Sequence, residues 1–127
     1  VLMDSKTIQK YSKYSVAELK TKAQKVFNAW IRKRDEGLPC ISCGSGTPTQ
    51  ACHYLSQGHH SALRYNEDNT HLGCIRCNLF LHGNLINYRK GLVKKIGEER
   101  VLALENTPRQ AYKWDKFSLI AIIEKYK

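Results

Sequence analysis

The chain has 127 residues, of which 42% are hydrophobic and 25% charged, and this predicts one soluble globular domain spanning residues 1–127. No apolar run approaches the roughly 18 residues of a membrane span, and the first residues lack the apolar core of a secretory signal, so we expect a cytoplasmic protein. Twenty-one Lys and Arg against eleven Asp and Glu give a net charge of +10, which favours a polyanionic partner, with nucleic acid ahead of an anionic membrane.

The first part of the chain predicts one amphipathic helix. Residues 1–14 are polar and rich in lysine, and we expect them to form a loosely held lead-in. Ser15 and Glu18 form a capping box, in which each side chain accepts a hydrogen bond from a backbone amide. The helix is predicted over residues 15–37, with Gly37 at its end. Its core face is predicted from the spacing of its apolar residues, which are Leu19, Ala23, Val26, Phe27, Trp30 and Ile31.

The segment of residues 40–84 holds all five cysteines and all five histidines of the chain. A C-x-x-C pair opens this segment, and a turn rich in Gly and Ser follows at residues 44–48. We predict two short strands, Gln50–Leu55 and Leu63–Tyr65, joined through Gly58. A second C-x-x-C pair then opens a short predicted helix. These elements predict a small core of two strands and one helix.

Residues 85–127 are predicted to be C-terminal helices. We expect one helix over Asn84–Ile96, which Gly91 could interrupt, and further helices over Glu98–Glu105 and Trp114–Tyr126. Together with the two predicted strands, these helices indicate an α+β fold.

The four paired cysteines predict a zinc site. Four thiolates from two C-x-x-C pairs are the ligand set that structural tetrahedral zinc selects, and they come from Cys40, Cys43, Cys74 and Cys77. Because four thiolates leave no open coordination position, we expect this zinc to stabilise the fold and to take no part in catalysis. A redox role would need one C-x-x-C pair beside a βαβ pattern, whereas two pairs are present. Cys52 is left over, and we expect it to be a small buried packing residue.

The residues around the second cysteine pair carry a family resemblance. A C-x-x-C pair, a histidine on a strand, an asparagine five residues before a second C-x-x-C pair and an asparagine after it resemble the HNH, or His-Me finger (ββα-metal), endonucleases. By position, His53 matches the general base, Asn69 the asparagine that orients this base, and Asn78 the helix residue that binds the catalytic metal. The resemblance implies a treble-clef ββα core, held by zinc and surrounded by helices.

The wider sequence resembles one family within that class. The segments RD at 34–35, CHY at 52–54, LRY at 63–65 and YRKGL at 88–92 look like the phage lambda recombination protein Rap (NinG) family. This family implies structure-specific cleavage of branched DNA, such as D-loops and Holliday junctions, during phage recombination. A protein of this kind would act in the cytoplasm of a bacterial or phage-infected host cell.

The chemistry of phosphodiester hydrolysis fits this resemblance. Hydrolysis needs a base that activates water and a cation that neutralises charge on the phosphate. His53 can be the base, since an imidazole with the ordinary pKa of about 6.5 is neutral at cellular pH, and Mg²⁺ or Mn²⁺ would be the cation. Many HNH enzymes have Asp or His directly before the base, whereas this chain has Cys52, a poor ligand for Mg²⁺. Further candidate ligands are His82, one helical turn beyond Asn78, and also His71, Asn84 and Asp68.

Contacts to DNA are expected from cations that face phosphates without reading the base sequence. The candidates are Arg64, Arg76, Arg89, Lys90, Lys94 and Lys95. The protein could also form a homodimer that makes paired cuts. Two alternatives stay open at this point, a non-catalytic zinc module of the same fold that binds DNA and a zinc finger that binds proteins. The first predicts DNA binding without metal-dependent nicking, and the second predicts no salt-sensitive affinity for DNA.

Overall fold

The computed structural model of the protein describes residues 3–109 and 111–127. In chain order these residues form α1 (Ser5–Lys10), α2 (Val16–Arg34), β1 (Gln50–His53), β2 (Thr70–Gly73), α3 (Leu85–Ile96), α4 (Glu98–Glu105) and α5 (Lys116–Tyr126). A 3₁₀ helix at Ser61–Leu63 lies between the two strands in sequence, and a π-helix at Arg76–Phe80 follows β2. The predicted α+β class is confirmed. Within the described ranges, every helix is too short or too polar to cross a membrane.

The chain divides into two compact units. The helical unit contains the described residues up to Trp30 together with Lys113–Lys127, and the cysteine unit contains Ile31–Tyr112. The division falls within α2, directly after Trp30. The cysteine unit therefore carries every cysteine and histidine of the chain. The expectation of one domain stays a prediction.

The start of the helical unit is more ordered than the sequence predicts. The expected loose lead-in contains α1, which begins where the Asp4 carboxylate accepts a hydrogen bond from the Thr7 amide at 2.8 Å. The Tyr11 ring is buried, and its hydroxyl donates to Glu124 at 2.7 Å. The prediction is therefore wrong for the described residues of this segment, because one buried aromatic side chain anchors a stretch of polar composition.

α2 begins where the sequence predicts and ends earlier. The capping box is confirmed by two hydrogen bonds of 3.1 Å, from the Ser15 amide to the Glu18 carboxylate and from the Glu18 amide to the Ser15 hydroxyl. The predicted end at residue 37 is wrong, since the last helical residue is Arg34. Asp35 leaves the helix with its carboxylate turned inward to accept from the Leu72 amide at 3.0 Å. Gly37 then adopts the left-handed conformation with φ of +87°.

The hairpin of the cysteine unit pairs β1 with β2 in antiparallel register, with Cys52 opposite His71 and His53 opposite Thr70. The predicted second strand at Leu63–Tyr65 is wrong, because this segment continues from the 3₁₀ helix. Three residues are too few to distinguish a strand from a helical turn. The true second strand is buried at all four positions, so it lacks the alternation of polar and apolar residues that marks a half-buried strand.

The core of the cysteine unit joins the hairpin to α3 and α4. The Tyr88 hydroxyl of α3 donates to the Cys52 carbonyl of β1 at 2.6 Å, which ties this helix to the first strand. The predicted bounds of α4 are confirmed. The last helix was predicted to begin at Trp114, whereas α5 begins at Lys116, directly after the Asp115 side chain that caps it. The buried residues of this core are Cys52, Leu63, Tyr88, Leu92, Val101 and Leu104.

Gly91 lies in the middle of α3 and does not interrupt the helix. A Cβ atom at this position would lie 2.0 Å from the Ile41 carbonyl oxygen, because α3 passes directly over the backbone of the first cysteine pair. Gly91→Ala is therefore expected to lower the free energy of unfolding by about 2–3 kcal/mol. In an exposed helix without such a contact, the same change would instead raise the free energy of unfolding by about 1 kcal/mol.

Urea unfolding of the Gly91→Ala variant measures this effect. Gly58→Ala is the matched control, because no atom lies within 4 Å of a Cβ built there. We expect the control to unfold within about 0.5 kcal/mol of the unmodified protein. A Gly91→Ala variant that is as stable as the control would contradict the close approach of α3 to Ile41.

Candidate functional site

The four paired cysteines come together in the cysteine unit. Their sulfur atoms all lie within 4.8 Å of one another, and those of Cys43 and Cys74 are 3.7 Å apart. A tetrahedral zinc ion with Zn–S bonds of about 2.3 Å places its sulfurs about 3.8 Å apart. The donors and their spacing therefore fit one structural metal ion such as zinc. This cysteine cluster consists of Cys40, Cys43, Cys74 and Cys77.

Amide groups point at the sulfurs of the cysteine cluster. The Cys74 amide lies 3.3 Å from the Cys40 sulfur, and the Cys77 amide lies 3.4 Å from the Cys74 sulfur. The Asn84 side chain donates to the Cys77 sulfur at 3.4 Å. Sequence reasoning missed this role of Asn84, although a Gly-Asn pair after a helix favours the left-handed turn that Asn84 adopts, with φ of +48°. Such donors stabilise the thiolate form that a metal binds.

The thiols of the cluster differ in their pKa values. Hydrogen bonds from Ser45 lower the pKa of Cys43 to about 6, and the Cys77 amide lowers the pKa of Cys74. Burial raises the pKa of Cys77 to about 12. Cys43 is therefore ionised at neutral pH, whereas Cys77 needs a nearby cation to lose its proton.

His53 ends β1 and is held by one backbone carbonyl. Its Nε2 atom lies 2.9 Å from the Arg64 carbonyl oxygen. Because a carbonyl oxygen only accepts, Nε2 carries a proton. Burial lowers the pKa of this imidazole, so the ring is neutral at pH 7 and its lone pair lies on Nδ1. The resemblance implies that Asn69 orients this ring, whereas the partner observed is the backbone carbonyl of Arg64.

Asn69 is buried and holds the loop that supplies this carbonyl. Its Oδ1 atom accepts from the Leu55 amide at 2.9 Å, and its Nδ2 donates to the Leu55 carbonyl at 3.0 Å and to the Leu63 carbonyl at 3.4 Å. Leu63 directly precedes Arg64. These contacts fix the backbone next to the carbonyl that binds His53, and the role of Asn69 towards His53 stays a prediction.

Cys52 belongs to the hydrophobic core, as the sequence predicts. Consecutive strand residues point to opposite faces, so the Cys52 side chain turns away from the face that His53 presents. Its sulfur lies 3.6 Å from the Gln50 carbonyl oxygen, and burial raises the pKa of the thiol to about 12. A buried, protonated thiol is not a ligand for Mg²⁺.

His71 lies in a buried polar network with both ring nitrogens engaged. Its Nδ1 atom is 3.1 Å from the Arg34 guanidinium, which only donates, and its Nε2 donates to the Asp68 carbonyl at 2.8 Å. The Asp35 carboxylate in the same network is 1% exposed and pairs with the Lys95 ammonium at 2.8 Å. His71 therefore has no lone pair to offer a metal ion, and its predicted ligand role does not fit this geometry.

The burial of His71 makes folding sensitive to acid. Burial lowers the pKa of its imidazole from 6.5 to about 4, so between these values the unfolded chain binds a proton that the folded chain does not. The contribution of His71 to stability is therefore present above pH 6.5 and is lost as the pH falls towards 4. We expect a loss of about 2 kcal/mol between pH 7 and pH 5, measured by urea unfolding.

Two histidine variants test this pH dependence. His71→Gln removes the titrating group and keeps a donor and an acceptor, so its stability should change less between pH 7 and pH 5. His59 lies exposed in a loop, and His59→Gln should show the full loss. Equal losses in the His71→Gln and His59→Gln variants would contradict the assignment to His71.

Asn78 and His82 do not lie on one regular helix. Asn78 is half-buried in the π-helix, and its backbone amide donates to the Cys74 carbonyl at 3.0 Å. His82 is exposed beyond the end of this helix, in the left-handed conformation with φ of +49°. The prediction that these residues share one helical face is wrong, since the helix ends at Phe80 and is wound more widely than an α-helix. Their roles as metal ligands stay predictions.

Two of the predicted DNA contacts are engaged in ion pairs. Arg89 binds Glu105 through two hydrogen bonds of 2.8 and 2.9 Å, and Lys95 binds the buried Asp35. Glu105 was not singled out from the sequence, and Asp35 was noted only as part of the RD segment that carries the family resemblance. The charge of these two cations is therefore largely neutralised by acidic side chains of the cysteine unit itself.

The other predicted contacts include exposed cations. Arg64 is half-buried beside the Tyr65 ring, with the guanidinium carbon 5.8 Å from the ring centroid. A groove of about 570 Å³ runs past the cysteine cluster, and Lys90 and Lys94 lie on its wall. Besides Lys95, the exposed members of the predicted set are Arg76, Lys90 and Lys94, which leaves these three accessible to phosphates.

Sequence comparison shows that the chain is similar to phage proteins. The model of the family described as "Bacteriophage Lambda NinG protein" matches residues 3–127. Protein ninG of Escherichia phage lambda is 41% identical over 107 residues, which are 83% of this chain and 52% of that protein. Protein ninG of Salmonella phage P22 is 39% identical over 107 residues, which are again 83% of this chain and 52% of that protein. The chain spans about half the length of these curated relatives. No solved structure matches it.

Proposed function

The chain belongs to the NinG family of phage lambda, and on this premise we propose that it is a metal-dependent, structure-specific DNA endonuclease. The proposed substrates are branched recombination intermediates in the cytoplasm of a phage-infected bacterium. The hairpin, the π-helix and the cysteine cluster would form a ββα core of the HNH, or His-Me finger, class. Because the chain covers about half of its relatives, the activity is proposed for this chain and is not transferred from them.

The state of His53 is the observation that carries this proposal. A neutral imidazole with Nε2 fixed on a backbone carbonyl and its lone pair on Nδ1 is suited to take a proton from water. In this proposal His53 Nδ1 accepts that proton as the water oxygen attacks the phosphorus atom and the P–O bond to the leaving nucleotide oxygen breaks. Asn69 contributes by fixing the loop in front of the Arg64 carbonyl. The ring orientation is thus set before the substrate binds, which favours a reactive geometry.

The cysteine cluster would act as the scaffold of this base. β1 ends at His53 and pairs with β2, and β2 ends directly before Cys74. The Ile41 amide of the first cysteine pair donates to the Leu72 carbonyl of β2 at 3.0 Å. Zinc on the four thiolates would therefore lock the end of the hairpin where β2 finishes to the π-helix that carries Asn78. Its role is structural, because the thiolates fill all four coordination positions.

The residues available for a catalytic Mg²⁺ or Mn²⁺ ion are few. Cys52 faces the core and His71 is fully hydrogen-bonded. Asn84 donates to the Cys77 sulfur and Asp68 pairs with Arg100, so Asn78 and His82 remain as the proposed protein ligands. In the described part of the chain, the cysteine cluster is the group of three or more His, Cys, Asp and Glu side chains that could hold an ion. A magnesium ion that keeps its waters and takes ligands from DNA phosphate suits so sparse a site. When bound, it would neutralise charge on the phosphate and the leaving oxygen.

A non-catalytic zinc module that binds DNA is the second candidate function. The buried thiol of Cys52, in the place where HNH enzymes often have a metal-binding acid, favours it. Both candidates predict salt-sensitive DNA binding through exposed cations such as Arg76, Lys90 and Lys94. They differ in whether the DNA backbone is cut.

The decisive experiment uses zinc-loaded protein on two labelled DNAs. A four-way junction and a linear duplex of the same sequence are incubated with Mg²⁺, with Mn²⁺ or without added divalent ion. We expect nicking of the junction in the presence of either ion, and far less nicking of the duplex. Junction binding without metal-dependent nicking would overturn the enzyme proposal in favour of the DNA-binding module.

A further inference from the structure

More than half of the net positive charge of the chain lies in the helical unit. All the candidate catalytic residues lie in the cysteine unit. Residues 1–30 and 113–127 contain ten lysines, no arginine and four acidic residues. Residues 31–112 contain four lysines, seven arginines and seven acidic residues. The smaller unit therefore holds more than half of the net charge of the chain, and it holds this charge entirely as lysine. None of the DNA contacts predicted from the sequence lies there.

Part of this charge surrounds a groove within the helical unit. The groove has a volume of about 670 Å³, and α1, α2 and α5 all contribute to its walls. Val26, Ala29 and Ile123 supply its apolar lining, beside the rings of Tyr11 and Tyr14. Five lysines complete the lining, and no acidic side chain belongs to it among the described residues. These lysines are Lys10, Lys13, Lys22, Lys25 and Lys127.

The tyrosine rings hold several of these ammonium groups at the groove. The Lys22 ammonium lies 4.4 Å from the centroid of the Tyr14 ring, and the Lys13 ammonium lies 5.3 Å from the same centroid. Attraction between a cation and a ring face orients a lysine without neutralising its charge. Glu124 binds the Tyr11 hydroxyl and the Lys127 ammonium, both at 2.7 Å, and offsets one of the five lysine charges. The groove therefore keeps a large excess of positive charge.

We propose that this lysine groove binds the sugar-phosphate backbone of DNA as a second contact surface, an inference that rests on the proposed action on DNA. Lysine ammonium groups bind phosphates as point charges and read no base sequence, which suits a surface that follows a backbone. A membrane surface fits less well, because it would need protruding apolar side chains beside the lysines. Ile123 in the groove is only 4% exposed and cannot insert into lipid.

Two double variants that each remove two positive charges test the lysine groove. Lys22→Gln with Lys25→Gln removes two charges from the groove, and Lys6→Gln with Lys113→Gln removes two charges elsewhere in the same unit. All four lysines are exposed, so both variants should fold, as circular dichroism can confirm. The measurement is binding of a labelled four-way junction by zinc-loaded protein at several salt concentrations, without Mg²⁺ or Mn²⁺.

We expect the groove variant to bind the junction at least about tenfold more weakly near 0.1 M salt. A plot of the logarithm of the binding constant against the logarithm of the salt concentration should have a slope shallower by about 1.8, because each lost phosphate contact removes about 0.9. The control variant should keep both values close to those of the unmodified chain. Equal weakening in the two variants would overturn the proposal, because it would show that only total charge matters. A groove variant that loses affinity for phosphatidylserine vesicles and keeps its affinity for the junction would overturn it as well.

The outcome is separate from that of the nuclease proposal. If the groove variant loses junction affinity while the unmodified chain cuts no DNA, the lysine groove stands and the nuclease assignment fails. If the chain cuts junctions while the groove variant binds like the control, the nuclease assignment stands and the groove fails.

Discussion

Replacing Cys77 with serine is expected to abolish zinc binding and to unfold the cysteine unit. The Cys77 side chain is 2% exposed, and its sulfur is one of the four of the cysteine cluster and accepts from the Asn84 side-chain amide. A hydroxyl is a poor zinc ligand at neutral pH, so the variant would offer three thiolates and a gap in the coordination. Structural zinc contributes about 10–16 kcal/mol in small metal-folded peptides, which equals or exceeds the total stability of about 5–15 kcal/mol of most domains.

Cys52→Ser is the matched control for this variant. Cys52 is equally buried but belongs to the hydrophobic core, and its sulfur lies near a carbonyl oxygen that could accept from a serine hydroxyl. We expect the control to keep one zinc per chain and to lose about 1–2 kcal/mol of stability. Metal analysis and thermal unfolding give both readings. One zinc and a cooperative transition in the Cys77→Ser variant would contradict the assignment of the cysteine cluster.

The cysteine cluster could be predicted because its signal is local. Each C-x-x-C pair places two thiols on one short turn, so four candidate ligands can be recognised without knowledge of the fold. The capping box of α2 and the bounds of α4 are local in the same sense, since apolar spacing and caps act within a few residues of the chain.

Features that depend on distant pairing could not be predicted in this way. β2 is a strand because it pairs with β1 and is covered on both faces, and its four residues alone contain no strand pattern. Gly91 looked like a helix breaker, and only the position of the Ile41 backbone shows why a glycine stands there. Local propensity is a weak guide wherever contacts from elsewhere in the chain decide the conformation.

The roles of polar residues were also decided by contacts across long sequence distances. Asp35 accepts from the Leu72 amide, 37 residues away, and Arg34 reaches His71 over a similar separation. Histidine is a frequent metal ligand, so His71 was a reasonable candidate until both of its nitrogens were found engaged. Asn69 was predicted to orient His53, yet its side-chain hydrogen bonds run to the backbone of Leu55 and Leu63.

His53→Ala is expected to lower the rate of junction cleavage by 10²–10⁴-fold, the range that a positioned general base supplies. The hydrogen bond to Arg64 suits His53 to the proposed role, because it places the proton on Nε2 and fixes the direction of the Nδ1 lone pair. Alanine leaves the attacking water without an acceptor. Single-turnover cleavage of a labelled junction with saturating protein and Mg²⁺ measures this step apart from DNA binding, which should change little.

Two further measurements distinguish a catalytic base from a structural histidine. Burial lowers the pKa of His53, so the base stays neutral down to a pH below 6.5, and cleavage by the unmodified protein should be flat from pH 8 to about 6.5 and decline below. His59→Ala, at an exposed loop position, should keep both the rate and this profile. Zinc content and circular dichroism should be the same for His53→Ala and His59→Ala. Nicking that survives His53→Ala at the unmodified rate would exclude His53 as the base and move the search to another acceptor near the phosphate.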